Sequence, residues 1–260
     1  MKKIFSLLAI IAALTFSSCS DDNDDNITLN TEAQTTFSFK HTWNDTEVTS
    51  ADFNTIQYTN ENGEMLSIER LRYVISDITF SRDGQDDIVF DIYNLVDVTN
   101  NNNTTLSLDE NIPTGVYTNV SFTFGLDNED NAENYIDLNT ENFNVPEMLG
   151  GGYHYMQFDG KFINSSDAEQ GFNYHAIRAV DNPGMNPTFP QDTFFEVNLG
   201  AVTITNNATF QVQMNIAEWF KSPNLWDLNQ YNQMLMPNST AQIMMYENGA
   251  SVFSLENIIQ

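Results

Sequence analysis

Two histidines and two methionines fall within residues 148–180: Met148 at its start, His154 and Met156 in the run GGYHYMQFDGKF, and His175 in YHAI. Three consecutive glycines, Gly150, Gly151 and Gly152, lead into the first run. Both runs read as short strands. Side chains alternate between the faces of a strand, so His154, Met156 and Phe158 are expected on one face and Tyr153, Tyr155 and Gln157 on the other. Imidazole and thioether together suit copper, whose reduced ion favours soft sulfur and whose oxidised ion favours nitrogen. The third histidine, His41, lies in residues 35–43, where Phe37, Phe39, His41 and Trp43 alternate with Ser38, Lys40 and Thr42. That pattern predicts a half-buried strand with a histidine on its apolar face. Read by itself, His41 is a hydrogen-bonded residue at the edge of the core.

Other groups that could do chemistry give weaker patterns. The loop NEDNAEN, residues 128–134, is rich in oxygen ligands suited to calcium. It lacks the regular ligand spacing and turn glycine of a calcium loop, and it reads as a solvated loop. Met234, Met236, Met244 and Met245 offer soft sulfur at irregular spacing, the pattern of residues that fill gaps in a core. No GxSxG elbow, HExxH helix or phosphate-binding glycine loop is present, and the mature chain has no cysteine nucleophile. With 36 acidic residues, carboxylate pairs arise by chance, so they do not argue for a glycosidase. The expectation is a protein without catalytic activity.

The elements that must position these residues are mostly strands. Residues 88–96, 116–124, 196–204 and 208–216 are rich in β-branched and aromatic residues or alternate between apolar and polar. Residues 65–80 have mixed periodicity, with a first half that could pass for a short helix and a second half that reads as a strand. Helical turns are expected at 217–221 and 225–234, separated by Pro223. With nineteen phenylalanines to fill a core and no linker after residue 34, the chain is expected to form one all-β, β-sandwich-like domain over residues 35–260, with a few short helical turns.

Residues 1–18 read as a lipoprotein signal peptide, in which Lys2 and Lys3 precede an apolar run, 4–14, that is too short to span a bilayer. Cys19 is the single cysteine and follows small residues. It is expected to be lipidated, anchoring the protein to outer-membrane lipid. Residues 19–34 form an acidic tether whose run SDDNDDN resembles the signal by which Bacteroidota send lipoproteins to the outer face of the outer membrane. Surface display is preferred over a periplasmic location. The formal charge of −27, with scattered Lys and Arg, argues against nucleic acid as a partner and favours cations, although acidity also serves simply to keep an exposed protein soluble.

Several segments then fall into one order: FKH, LRYVISDI, LVDV, IPTGVYTNVSFTFGLD, GGYHYMQFDGKF and YHAI. This order resembles the MbnP-like family of bacterial envelope proteins, named for the periplasmic partner of the methanobactin copper system, from about Thr35 to the C-terminus. The resemblance implies a β-sandwich-like domain that binds copper through histidines, an oxidised tryptophan (kynurenine) that joins the copper site, and a dihaem peroxidase-like redox partner that performs the oxidation. His41 matches the histidine of the first strand, His175 the histidine after the GY segment, and His154 lies within that segment. Asp127 matches the aspartate of Gly-x-Asp, with a structural or outer-shell role. The tryptophans that usually precede the GY motif are absent. Met148, Leu149 and the glycines stand there, and none of Trp43, Trp219 and Trp226 occupies the matching place, so only the histidine part of the site carries over.

The resulting expectation is an envelope-anchored copper-binding lipoprotein that uses some of His41, His154 and His175, with Met156 as a soft ligand. Its affinity should fall as pH drops through the ordinary histidine pKa near about 6.5. The alternative is a surface-displayed β-sandwich that binds a protein or glycan through exposed loops, with purely structural histidines.

Overall fold

The computed structural model describes residues 31–260, so the signal segment 1–18, Cys19 and the acidic run 20–26 lie outside the described residues. Nine main strands carry the fold: β1 (Thr35–Trp43), β2 (Arg70–Ser81), β3 (Ile88–Asp97), β4 (Gly115–Phe124), β5 (Met156–Ile163), β6 (Glu169–Ala176), β7 (Phe195–Ile204), β8 (Ala208–Asn215) and β9 (Phe253–Ile259). Two helices accompany them, α1 (Ile136–Thr140) and α2 (Ser239–Gly249). Residues 32–34, assigned to the tether by composition, belong to the fold, because Glu32–Ala33 pairs with Ile112–Pro113.

The larger sheet is organised around β2. One edge of β2 takes β3 along most of its length. The other edge is shared, with β4 paired to its C-terminal half and β5 to its N-terminal half. β5 pairs with β2 up to Tyr73 and β4 takes over from Ile75; a bulge follows around Asp77, where φ is +51°, and bulges of this kind re-aim a strand. β7 extends the sheet beyond β4, and β6 extends it beyond β5. The smaller sheet places β1 parallel to β8, with β9 on the far edge of β8.

The alternation read in β1 and β8 is realised in space. Phe37, Phe39 and His41 point inward while Ser38 and Lys40 do not, and in β8 Phe210, Val212 and Met214 are buried. The two sheets meet through aromatic rings, with Phe37 edge-on to Phe80 at 6.2 Å and Phe39 edge-on to Phe122 at 5.9 Å. Each such phenylalanine stabilises the fold by about 1.5–3 kcal/mol through burial. Gly160 in β5 admits close approach of a second backbone: a Cβ there would lie 2.0 Å from the Ser67 carbonyl oxygen.

Three expectations are corrected. Residues 65–80 contain no helix; Met65–Leu66 and β2 are both strands, and β2 reads ambiguously because its middle is buried on both faces. Residues 217–221 do coil, as a 3-10 turn (Ile216–Phe220), whereas 225–234 contains no helix. Helix α2 was not foreseen, because its buried face includes Gln242, Asn248 and Gly249 and so carries no apolar periodicity.

Candidate metal centre

His154 sits just ahead of β5, on a segment held by a chain of hydrogen bonds that begins at the Gly-x-Asp motif. The Asp127 carboxylate accepts the N–H groups of Glu129 and Asp130 at 2.8 and 2.9 Å, which fixes the tight turn that follows. From that turn Asn131 accepts the Tyr153 N–H at 2.8 Å, one residue before His154. Gly125, at φ +92°, clears the space for Tyr155 on the other side, since a Cβ there would lie 2.7 Å from the tyrosine ring. Asp127 therefore acts on His154 through the backbone, in a structural role.

The His154 ring is fixed by a single carbonyl. Phe143 O accepts both the backbone N–H and Nδ1 of His154, each at 2.8 Å. A carbonyl only accepts, so Nδ1 carries the proton and Nε2 keeps its lone pair. Nε2 is buried and has no hydrogen-bond partner among the described residues. The imidazole is 5 % exposed, and burial above all holds its pKa down to about 4, against a small opposing effect of the Phe143 bond. The carbonyl is itself anchored: Arg72 donates to Glu141 O and to Gln157, and Gln157 donates to Asn142 O.

His175 faces His154 across 5.2 Å between ring centroids, with the planes at 83°. The β5–β6 register sets Gln157 opposite His175 and Asp159 opposite Asn173. The His175 Nε2–H donates to Asp159 Oδ1 at 2.8 Å, Asn173 donates to the same oxygen at 2.6 Å, and Arg70 donates to Oδ2. Burial alone would raise the Asp159 pKa, but the His175 bond and charge, helped by Asn173 and Arg70, pull it down to about 2. With Nε2 committed to Asp159, the neutral His175 ring keeps its lone pair on Nδ1. Two imidazoles thus stand together, each oriented through its other nitrogen, the arrangement by which proteins prepare histidines for a metal.

The remaining candidates lie elsewhere. His41 Nε2 is bonded to the Tyr73 hydroxyl at 3.0 Å inside the core, and burial lowers its pKa to about 4. Met156 is fully buried and pairs with Tyr73 and Ala176. Because Ala176 and His175 are adjacent in one strand, Met156 projects from the face opposite His175. The expected alternation from His154 to Met156 fails at Tyr155, a bend where the strand has not yet begun. Asp159 and the Phe143 carbonyl were not foreseen. Counting the hairpin back from its turn at residues 164–168 would have found Asp159, whereas the carbonyl carries no side-chain signal.

Among the described residues, one group of three or more His, Cys, Asp or Glu brings its ligand atoms within 4.8 Å of one another: Asp77, Asp91 and Asp130. Asp130, from the loop read as solvated, is pushed up to about 6 by partial burial and by the neighbouring carboxylates. The glycines ahead of Tyr153 are tightly enclosed. A Cβ at Gly150 would meet the Phe189 ring at 2.5 Å, and one at Gly152 would meet Asn131 at 2.7 Å, both at positive φ. No larger side chain fits there without displacing its neighbours.

A family model described as MbnP matches residues 32–244. Among curated proteins no match was found. MbnP from Methylosinus trichosporium has a similar solved structure, with 12% sequence identity, 74% of this chain and 79% of that chain covered, and a TM-score of 0.50. At that identity the likeness is one of fold.

Proposed function

The chain belongs to the MbnP family, and from that membership we propose that it is a non-catalytic copper-binding protein of the cell envelope, anchored through an acylated Cys19, that holds its metal with His154 and His175. The observation that carries the proposal is the lone pair on His154 Nε2: buried, unpartnered, and beside a second imidazole. A buried nitrogen without a partner costs about 1–3 kcal/mol, and an arriving metal would repay this. When bound, copper would supply a site able to cycle between soft-ligand and nitrogen-ligand preferences.

The chain's own residues supply the rest. Phe143 O fixes the tautomer of His154, and Asp159 fixes that of His175. Burial keeps the His154 lone pair free of protons down to about pH 4, so the loss of affinity expected near about 6.5 does not arise from this residue. A side chain at Gly150 or Gly152 would collide with Phe189 or Asn131, so an oxidised tryptophan does not fit at those positions, and the proposal rests on the histidines alone. The reading in which all histidines are structural suits His41, whose nitrogen is satisfied by Tyr73, and does not suit His154.

Titration of copper into the protein and into Asp159→Asn tests this. The amide cannot match a carboxylate's hold on the His175 N–H, so affinity should fall by about 10–100-fold with stoichiometry near one. Copper should also raise the thermal midpoint of the unmutated protein, by an amount that grows with the logarithm of its excess. Equal affinity in both proteins, or no thermal shift, would refute the two-histidine site.

A further inference from the structure

His154 is closed off, but His175 opens on its outer side into a groove of about 480 Å³. Besides His175 and Asn173, the groove is lined by apolar side chains, among them Met148, Leu149, Met234, Leu235 and Met236. Three of its walls are therefore thioethers next to an imidazole. Two of these methionines are held out to solvent, Met148 at 59% exposure and Met234 at 78%. A fourth, Met185, is fully exposed on the loop that donates the Gly184 N–H to Met148 O at 2.7 Å.

The contrast with the other methionines is informative. Met156, Met214 and Met245 are buried, and Met244 packs against the main core, so these four fill gaps in the apolar interior as methionines usually do. Met236 packs on one side against the small apolar cluster that includes Leu149 and lines the groove as well. Met148 and Met234 expose apolar surface at a cost and add little to the core. Thioethers are neutral, flexible and soft, and a cluster of them selects a monovalent soft cation over the hard divalent ions that carboxylates prefer. The net charge of −27 draws cations toward the surface without selecting among them.

We infer that Met148, Met234 and Met236 form a second metal site, which takes up monovalent copper at the surface and passes it to His175. The uptake step stands on the groove alone; the hand-off rests on the histidine site proposed above. The transfer is a ligand exchange: a thioether sulfur leaves the ion as His175 Nδ1 binds it, with no change of oxidation state and no proton released from the thioethers. The groove is also the route by which His154 and His175 can be reached, since His175 is the more exposed of the pair.

The test uses protein labelled with ¹³C at the methionine methyl groups and silver(I) as an air-stable stand-in for copper(I). The methyl resonances of Met148, Met234 and Met236 should move on titration, while those of Met156, Met214 and Met245 stay in place. In the variant M148L/M234L/M236L, copper(I) should reach the histidines about 10-fold more slowly, with unchanged final occupancy. His154→Ala should retain the methyl shifts. Unmoved methyls in the unmutated protein, or unchanged loading in the triple variant, would overturn the inference. Methyl shifts together with full copper retention in His154→Ala would uphold the thioether site and refute the hand-off to the histidine pair.

Discussion

Alanine at His154 is expected to lower copper affinity by more than about 100-fold while leaving the protein folded. The side chain is buried, but its Nε2 has no partner to lose, and the Phe143 carbonyl, which gives up the Nδ1–H bond, keeps the backbone N–H of residue 154. Alanine at His175 should have a similar effect on copper. Alanine at His41 should do the reverse. It leaves the fully buried Tyr73 hydroxyl without its partner and opens a cavity between the sheets, at a combined cost of roughly 3–4 kcal/mol, with copper binding intact. Copper titration and urea denaturation of the three variants check both halves. If His41→Ala lost copper as His154→Ala does, the separation of core histidine from site histidines would be wrong.

Acid should destabilise the protein through the same buried imidazoles. His41 and His154 are both held near pKa 4 by burial, against about 6.5 in the unfolded chain. Between these values the unfolded chain carries a proton at each histidine that the folded chain does not. The stability from each is fully present above about 6.5 and declines as pH falls toward 4, by about 1.4 kcal/mol per pH unit, or about 3 kcal/mol in all. Asp159 adds a similar loss further down, as pH falls from about 4 toward its folded value of about 2. Asp130 works the other way, since its pKa is raised to about 6 and protonation favours the folded state there. Comparison with His41→Gln isolates one histidine: the variant's slope between pH 4.5 and 6 should be shallower by about 1.4 kcal/mol per unit. Identical slopes would mean that His41 is not held neutral in the core.

The fold was largely legible where one face of a strand is buried. Phe37, Phe39 and His41 alternate with polar residues because β1 lies on one core, and the pattern survives intact in space. Legibility failed where burial is two-sided, as in β2, or where polar residues make the buried face, as in Gln242 and Asn248 of α2. The site was half legible. Three histidines could be named, but only two converge, and that depends on a bend at Tyr155 that turns His154 toward His175 and away from Met156. That bend arises from contacts distant in sequence, the Asn131 bond to Tyr153 and the Gly125 clearance for Tyr155. Met234 and Met236 were read with Met244 and Met245 as core fillers, and their place in one groove with Met148 escaped notice because Met148 and Met234 are separated by 86 positions of chain and share no local pattern.

The most direct test is a crystal of the copper-loaded protein measured on both sides of the copper absorption edge. The account predicts one strong anomalous peak between His154 Nε2 and the His175 ring, with His41 still bonded to Tyr73. A peak at the carboxylates of Asp77, Asp91 and Asp130, or at His41, with none between the paired imidazoles, would contradict it.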